Sequence, residues 1–387
     1  MMAALSACAS GSATEKPGAV STPGASSSPS ASPVSDAAIT SSIASGAANV
    51  KVNRSLRLNV TDGTFSAVTV TSKSGTVAGD LSADKLTWQS TGRLQPGETY
   101  KVHGTAVDAA GTPSDYASKF KTQALGLDEQ TFPSFFPQAG STVGVGMPVI
   151  IRFDIPVKDH ESIQKHLKVT SEPAQAGAFH WISDTEVHWR PKTYWKTGTT
   201  VKVDADIDSV PAGGGVFGQK SRTNEFKIGR ALVSKVDMNT HQMKVYENGK
   251  LIKKLPITTG QQPKFTTRSG TKVIIEKFRH KRMNSETIGI DPNSADGYDL
   301  DDVEYAMRLT YSGEFVHAAP WSVASQGRAN VSHGCTGMST ANAGWFYGKS
   351  IIGDPIEYTG TSRQMTLSNG FGDWNMPFKS YAENTTL

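Results

Sequence analysis

The chain runs to 387 residues, a length that holds two to four domains at roughly 100–200 residues each. Hydrophobic residues make up 37%, enough for packed cores, while 37 glycines, 19 prolines and short alternating runs of Val and Thr favour β structure with many turns. The net charge of +4 without a long basic run argues against nucleic acid as a partner, and no apolar run reaches the roughly 18 residues of a spanning helix.

Taken in chain order, Leu5-Ser6-Ala7-Cys8 resembles a bacterial lipobox, in which small residues precede a cysteine that becomes lipidated and N-terminal. The expectation is that residues 1–8 end a signal peptide and that the protein is exported to the cell envelope. Lipid on Cys8 would hold it to the outer face of the cytoplasmic membrane. Residues 9–48 are mostly Ser, Ala, Pro, Gly and Thr, too poor in large apolar side chains to offset ordering entropy, and read as a disordered linker. Forty such residues have an r.m.s. span of about 35 Å.

Residues 49–122 read as a small all-β unit. Leu56, Leu58 and Val60 alternate with polar residues, Asp62-Gly63 marks a turn, Val68 and Val70 continue beyond it, and Thr99–Val107 alternates again. Residues 123–228 repeat the theme through Ile151, Phe153 and Ile155, then Val201, Val203 and Ala205. Trp88, Gly97, Lys101 and Val102 correspond to Trp189, Gly198, Lys202 and Val203, each pair offset by 101 (189 − 88). A repeat of that length built from short strands predicts two tandem immunoglobulin-like β-sandwiches, with no cysteine pair to bridge their sheets. They carry no recognisable chemistry and read as spacers, with binding to wall polymer as the alternative.

A third unit spans residues 229–360, followed by a C-terminal subdomain at 361–387. Ala231–Val236, Gln242–Glu247 and Leu251–Thr258 read as strands, the last two joined by a hairpin turn at Asn248-Gly249. Val273–Glu276 and Glu314–Val316 add strands, and Ile351–Tyr358 closes the unit. Ser339–Tyr347 is the helix, capped by Ser339 and stopped at Gly348. The aromatic stretch Phe371–Phe378 is expected to pack back on the body as a flap.

The two cysteines are Cys8 and Cys335. With lipid on Cys8, Cys335 has no partner, and a lone thiol in an exported protein flags reactivity; the alternative is a buried, inert residue. Two histidines, His317 and His333, precede it. An imidazole within reach generates the thiolate, and the turn His333-Gly334-Cys335 can converge backbone N–H groups on an oxyanion. The same three side chains are also possible zinc ligands, although no fourth ligand is spaced nearby.

His317 followed 18 residues later (335 − 317) by Cys335 within Ser332-His333-Gly334-Cys335 resembles the signature of the L,D-transpeptidase catalytic domain. The likeness extends to Gly313–Val323, to Asn342–Tyr347, to the turn Thr267-Arg268-Ser269-Gly270 with Arg where the family has Pro, and to Gly372-Asp373-Trp374-Asn375. These features resemble the actinobacterial forms with two immunoglobulin-like domains. The fold implied is mainly β, two sandwiches followed by a β-rich catalytic domain with a short helix and a C-terminal flap.

The resemblance implies that Cys335 attacks the third residue of a donor tetrapeptide stem and cleaves its bond to the terminal D-alanine. The resulting thioester then passes to an acceptor stem as a 3→3 peptidoglycan cross-link. His317, oriented by the Ala318 carbonyl, is the implied base, and His333 shapes the site. The Gly334 and Cys335 amides with Tyr298 form the implied oxyanion hole. Ser312, Gly313, Met283, Tyr298, Trp321 and Gly337 bind substrate, residues 276–300 forming a lid. No cofactor or metal is implied; carbapenems are the implied inhibitors. One departure is Gly337, where the family has Asn, which removes any contact from that side chain. An L,D-carboxypeptidase and a catalytically weak wall-binding scaffold are the alternatives.

Overall fold

The computed structural model describes residues 34–383. The expectations for Cys8 and for the linker as far as residue 33 lie outside the described residues.

The first sandwich sets the sheet Ala38–Ser41, Arg57–Thr61, Thr87–Ser90, Gly79–Leu81 against the sheet Gly75–Thr76, Thr64–Ser72, Thr99–Val107, Pro113–Lys121. Leu58, Phe65, Trp88, Tyr100 and Val102 fill the space between them. The disordered linker does not extend to residue 48: Ala38–Ser41 pairs antiparallel with Arg57–Thr61, Ile39 opposite Val60, and Ala37 and Ile43 are buried. Composition undercounts this strand because it is ordered by pairing with Arg57–Thr61, an edge that otherwise offers unpaired N–H and C=O groups.

The second sandwich sets Pro133–Phe136, Val149–Phe153, Glu186–Pro191, Gly177–Ser183 against Thr142–Val143, Arg222–Ile228, Thr200–Ala205, Leu167–Glu172. The repeated residues occupy like places. Trp88 and Trp189 are both buried, Gly97 and Gly198 turn at φ +70° and +74°, and Val102 and Val203 are fully buried on strands.

Two further sheets make the third unit. Five strands run in the order Lys250–Pro256, Gln242–Glu247, Leu232–Asp237, Pro355–Thr359, Gly270–Val273. Four run in the order Glu276–Asn284, Asp299–Arg308, Phe315–Ala318, Thr336–Met338. Val236, Val245, Met307, Val316, Met338 and Phe346 of the helix Thr340–Lys349 belong to one core. The strands expected at Ala231–Val236, Leu251–Thr258 and Glu314–Val316 run instead over Leu232–Asp237, Lys250–Pro256 and Phe315–Ala318, and three further boundaries move. Val273–Glu276 is not one strand, because the chain crosses between the sheets there, with Ile274 N–H on Asp354 O (3.0 Å) and Ile275 N–H on Arg308 O (2.9 Å). The closing strand is Pro355–Thr359. Ser339 caps the helix by accepting from Asn342 N–H at 3.3 Å, but Gly348 does not stop it; a Cβ there would meet nothing within 4 Å outside the helix's own backbone, and the helix runs on to Lys349.

The second sandwich and the third unit share one core, since Val273, Ile275 and Phe371 pack with the sandwich interior. Gly144 allows the approach: its N–H reaches Ile352 O at 2.8 Å, and a Cβ there would meet Asp354 N at 2.3 Å. The segment Gly372-Asp373-Trp374-Asn375 fastens both sides. Asp373 accepts from His188 Nδ1 (2.9 Å), Trp374 Nε1 donates to Gly146 O (2.7 Å), and the Asn375 amide takes both backbone groups of Thr271 (2.8 and 2.7 Å).

Candidate active site

The strand Phe315–Ala318 is buried along its whole length and pairs in parallel with Thr336–Met338, His317 opposite Gly337. That register sets the imidazole beside the strand into which Cys335 leads. His317 Nδ1–H donates to Ala318 O at 2.7 Å, which leaves the Nε2 lone pair free to take a proton. Burial lowers the ring's proton affinity, and the bond to Ala318 opposes this in part.

Cys335 is half-buried, and its Sγ–H points to Gly313 O at 3.6 Å. Burial pushes the thiol up to about 11, against a hydrogen bond from the Phe315 amide. Glu314 adds to the rise, while Lys272 and Arg308 pull the other way. Both shifts favour the neutral forms, a thiol and an unprotonated imidazole lining one cavity.

The turn before the thiol is held from two sides. Ser332 Oγ accepts from Gly334 N–H (3.1 Å) and donates to Cys335 O (2.6 Å), while Thr267 Oγ1 donates to Gly334 O (2.8 Å). This corrects the expected oxyanion hole. The Gly334 amide is occupied by Ser332, a side-chain bond within the turn that the motif does not reveal. The Cys335 amide and the Tyr298 hydroxyl carry no such bond among the described residues. Burial, then Cys335, push the Tyr298 phenol up to about 12, so it remains a donor.

A cavity of about 350 Å³ gathers Met283, Tyr298, His317, Trp321, His333, Cys335 and Gly337. Trp321, 59% exposed, forms its lip, with its ring 6.0 Å from that of His317. A second cavity of about 340 Å³ shares Tyr298, His333 and Cys335 with the first and adds Ser312, Gly313 and Gly334. The expected residues thus meet at the thiol, but Ser312 and Gly313 do not line the cavity that holds His317. Ser312 is bound instead to Asn369, which accepts from its N–H and donates to its Oγ, both at 2.9 Å. His333 lies between Phe265 and Tyr298, at ring distances of 4.3 and 5.1 Å.

Sequence reasoning missed Thr258 and Val331 in the first cavity. Thr258 exchanges both backbone bonds with Gly337 (3.0 and 2.9 Å), a pairing across 79 residues (337 − 258) that no local pattern signals. This explains Gly337 sterically: a Cβ there would meet Ala319 Cβ and Thr258 Cγ2, each at 3.0 Å.

Two family models match the chain, "Bacterial Ig domain" over residues 47–211 and "L,D-transpeptidase catalytic domain" over residues 232–357. L,D-transpeptidase 2 of Mycobacterium tuberculosis (strain CDC 1551 / Oshkosh) is 37% identical over 345 residues, spanning 89% of this chain and 83% of that protein. Among solved structures, an L,D-transpeptidase in complex with imipenem has 37% identity and a TM-score of 0.51, covering 58% of this chain and 97% of its own. L,D-transpeptidase 3 from M. tuberculosis, in complex with a faropenem-derived adduct, has 30% identity and a TM-score of 0.50, covering 59% and 97%.

Proposed function

Because the chain belongs to the L,D-transpeptidase family, we propose that it cross-links peptidoglycan stems 3→3 through a thioester on Cys335. The observation that carries this reading is the convergence of thiol, imidazole and two free donors on one cavity, with His317 Nδ1 committed to a carbonyl and Nε2 left to exchange protons. Cys335 gives its proton to His317 Nε2 as sulfur attacks the carbonyl of the third donor residue. The Cys335 amide and the Tyr298 hydroxyl receive the oxyanion. Collapse breaks the bond to D-alanine, whose amine leaves with the proton from His317. An amine on the third residue of an acceptor stem then attacks the thioester, His317 takes its proton, and sulfur leaves to recover that proton as a thiol.

Carbapenems fit the same reading, since their strained amide offers a carbonyl to the sulfur; the ring C–N bond breaks, the nitrogen takes the proton from His317, and it stays tethered to the acyl group. The apolar lining from Met283, Leu300, Trp321 and Val331 disfavours water and so supports an amine acceptor over hydrolysis. The test is product analysis on purified disaccharide-tetrapeptides. A cross-linked dimer that disappears in Cys335→Ala is expected; free tripeptide alone would make the enzyme an L,D-carboxypeptidase, and no thioester at all would make it a scaffold.

The reading extends to location: an exported protein on the outer face of the cytoplasmic membrane, tethered by lipid on Cys8, as Leu5–Cys8 suggests. The native protein should then partition with membranes and Cys8→Ala should release it; a native protein wholly soluble after export removes the anchor.

A further inference from the structure

Behind the nucleophile lies a buried charge cluster that the mechanism above does not use. Lys272 is 0% exposed and its ammonium meets the Glu314 carboxylate. Arg268 reaches the same carboxylate twice, through Nη1 at 2.9 Å and its backbone N–H at 3.2 Å. Glu314 immediately precedes the strand that carries His317, while Arg268 and Lys272 flank the start of the strand Gly270–Val273. Thr267, next to Arg268, holds the Gly334 carbonyl. Lys272 Nζ also sits 3.8 Å above the Tyr358 ring, whose hydroxyl pairs with Thr336 Oγ1 at 2.8 Å, one residue beyond the thiol. One segment, 267–272, therefore grips both the base strand and the nucleophile turn, and its grip on the first is a carboxylate.

A carboxylate at that place opposes a negative sulfur. Burial lowers the proton affinity of Lys272 and Glu314 opposes this; with the ammonium charged, two cations around one anion leave the cluster at +1, which removes the opposition. We propose that Lys272 is a positioning residue for Cys335: its buried ammonium, added to Arg268, outweighs the Glu314 charge, so that the ion pairs can tie base to nucleophile without blocking the thiolate. The proposal rests on reading Cys335 as the nucleophile. The other titratable or charged groups about the sulfur are His317 and His333, Tyr298 and Tyr358, Arg308, and Lys264 and Arg363 across the second cavity. Of these, Tyr358 is pushed further from ionising by burial, and none contacts the Glu314 carboxylate.

The test is iodoacetamide alkylation of the full chain at about pH 8, read by mass on the Cys335 peptide; it requires no substrate. K272M should slow alkylation about tenfold, the effect of roughly one unit in thiol ionisation. K272M/E314Q should restore at least the wild-type rate, since Arg268 then stands without the carboxylate and the cluster is back at +1. A packing role predicts the reverse, with the double variant as slow as K272M or slower, and that result overturns the proposal, as does an unchanged rate in K272M. Should K272M not fold, E314Q decides against wild type: faster alkylation supports the proposal, equal or slower overturns it. A chain that follows these ratios yet forms no cross-linked dimer keeps this inference and loses the functional reading.

Discussion

His188 on the second sandwich donates its Nδ1–H to Asp373 of the C-terminal segment at 2.9 Å, and both side chains are buried. The other ring nitrogen meets Glu186 at 2.8 Å, and Tyr381 O–H adds a bond to Asp373, also 2.8 Å. Burial works against a charged ring here, but Asp373 and then Glu186 outweigh it and hold His188 up to about 9.

This relationship predicts a pH-dependent seam. The folded value lies above the ordinary 6.5, so the stabilisation is complete below about pH 6.5 and fades as pH rises through about 9. Thermal melts should lose stability across that window. Asp373→Asn should lower stability by about 3 kcal/mol at neutral pH, because one partner of a buried pair is removed, and should flatten the alkaline decline. An unchanged decline in the variant would place the titrating group elsewhere.

Cys335→Ala should remove carbapenem acylation without shifting the melting temperature, since a half-buried thiol held by a 3.6 Å contact to Gly313 O and a bond from the Phe315 amide contributes little to the fold. Intact-mass spectrometry should find one adduct on the native chain and none on the variant. An adduct that survives the substitution identifies a different nucleophile.

The two histidines should separate by pH. His317→Gln should slow acylation by about 10²–10⁴-fold near neutrality, the range of general-base assistance. The loss should shrink steadily as pH climbs toward the thiol's value of about 11, where hydroxide makes the thiolate unaided. His333→Gln should show no such recovery, because a ring wedged between Phe265 and Tyr298 acts through shape. The opposite pattern would exchange their roles.

Gly337→Ala should cost about 1–3 kcal/mol, the range for forcing a methyl into a filled site. Its Cβ would press on Ala319 and Thr258 at 3.0 Å, and His317 is its register partner, so acylation should slow as well. Ala319→Gly should relieve part of both losses. A double variant no better than Gly337→Ala would locate the strain on the Thr258 side.

Much of this was legible because local rules decided it. Thr99–Val107 and Gln242–Glu247 end where their alternation ends, and Asn248-Gly249 turns with φ +50° and +80°, as its residue types require. That the thiol, both histidines and Tyr298 gather at one cavity was legible through spacing and resemblance. What stayed hidden depends on partners remote in sequence. Ala38–Ser41 needs Arg57–Thr61 before its backbone is worth ordering. Lys272 and Glu314 each read as an ordinary charged residue until the fold closes 42 residues (314 − 272) between them. The Gly334 amide looked free because a serine two residues back can satisfy it only when the turn is already tight.

The continuous core beneath Gly144 also bears on how the molecule melts. Val273, Ile275 and Phe371 draw their burial from the second sandwich, whereas the first sandwich keeps a separate core and meets the second through polar contacts such as Arg93 with Asp206 and Gln95 Nε2 with Asp208 at 2.9 Å. Calorimetry should therefore resolve two cooperative units from three domains, the first sandwich alone and the remainder together. A catalytic fragment cut at Arg230 would lose most of that joint interior and expose Val273, Ile275 and Phe371.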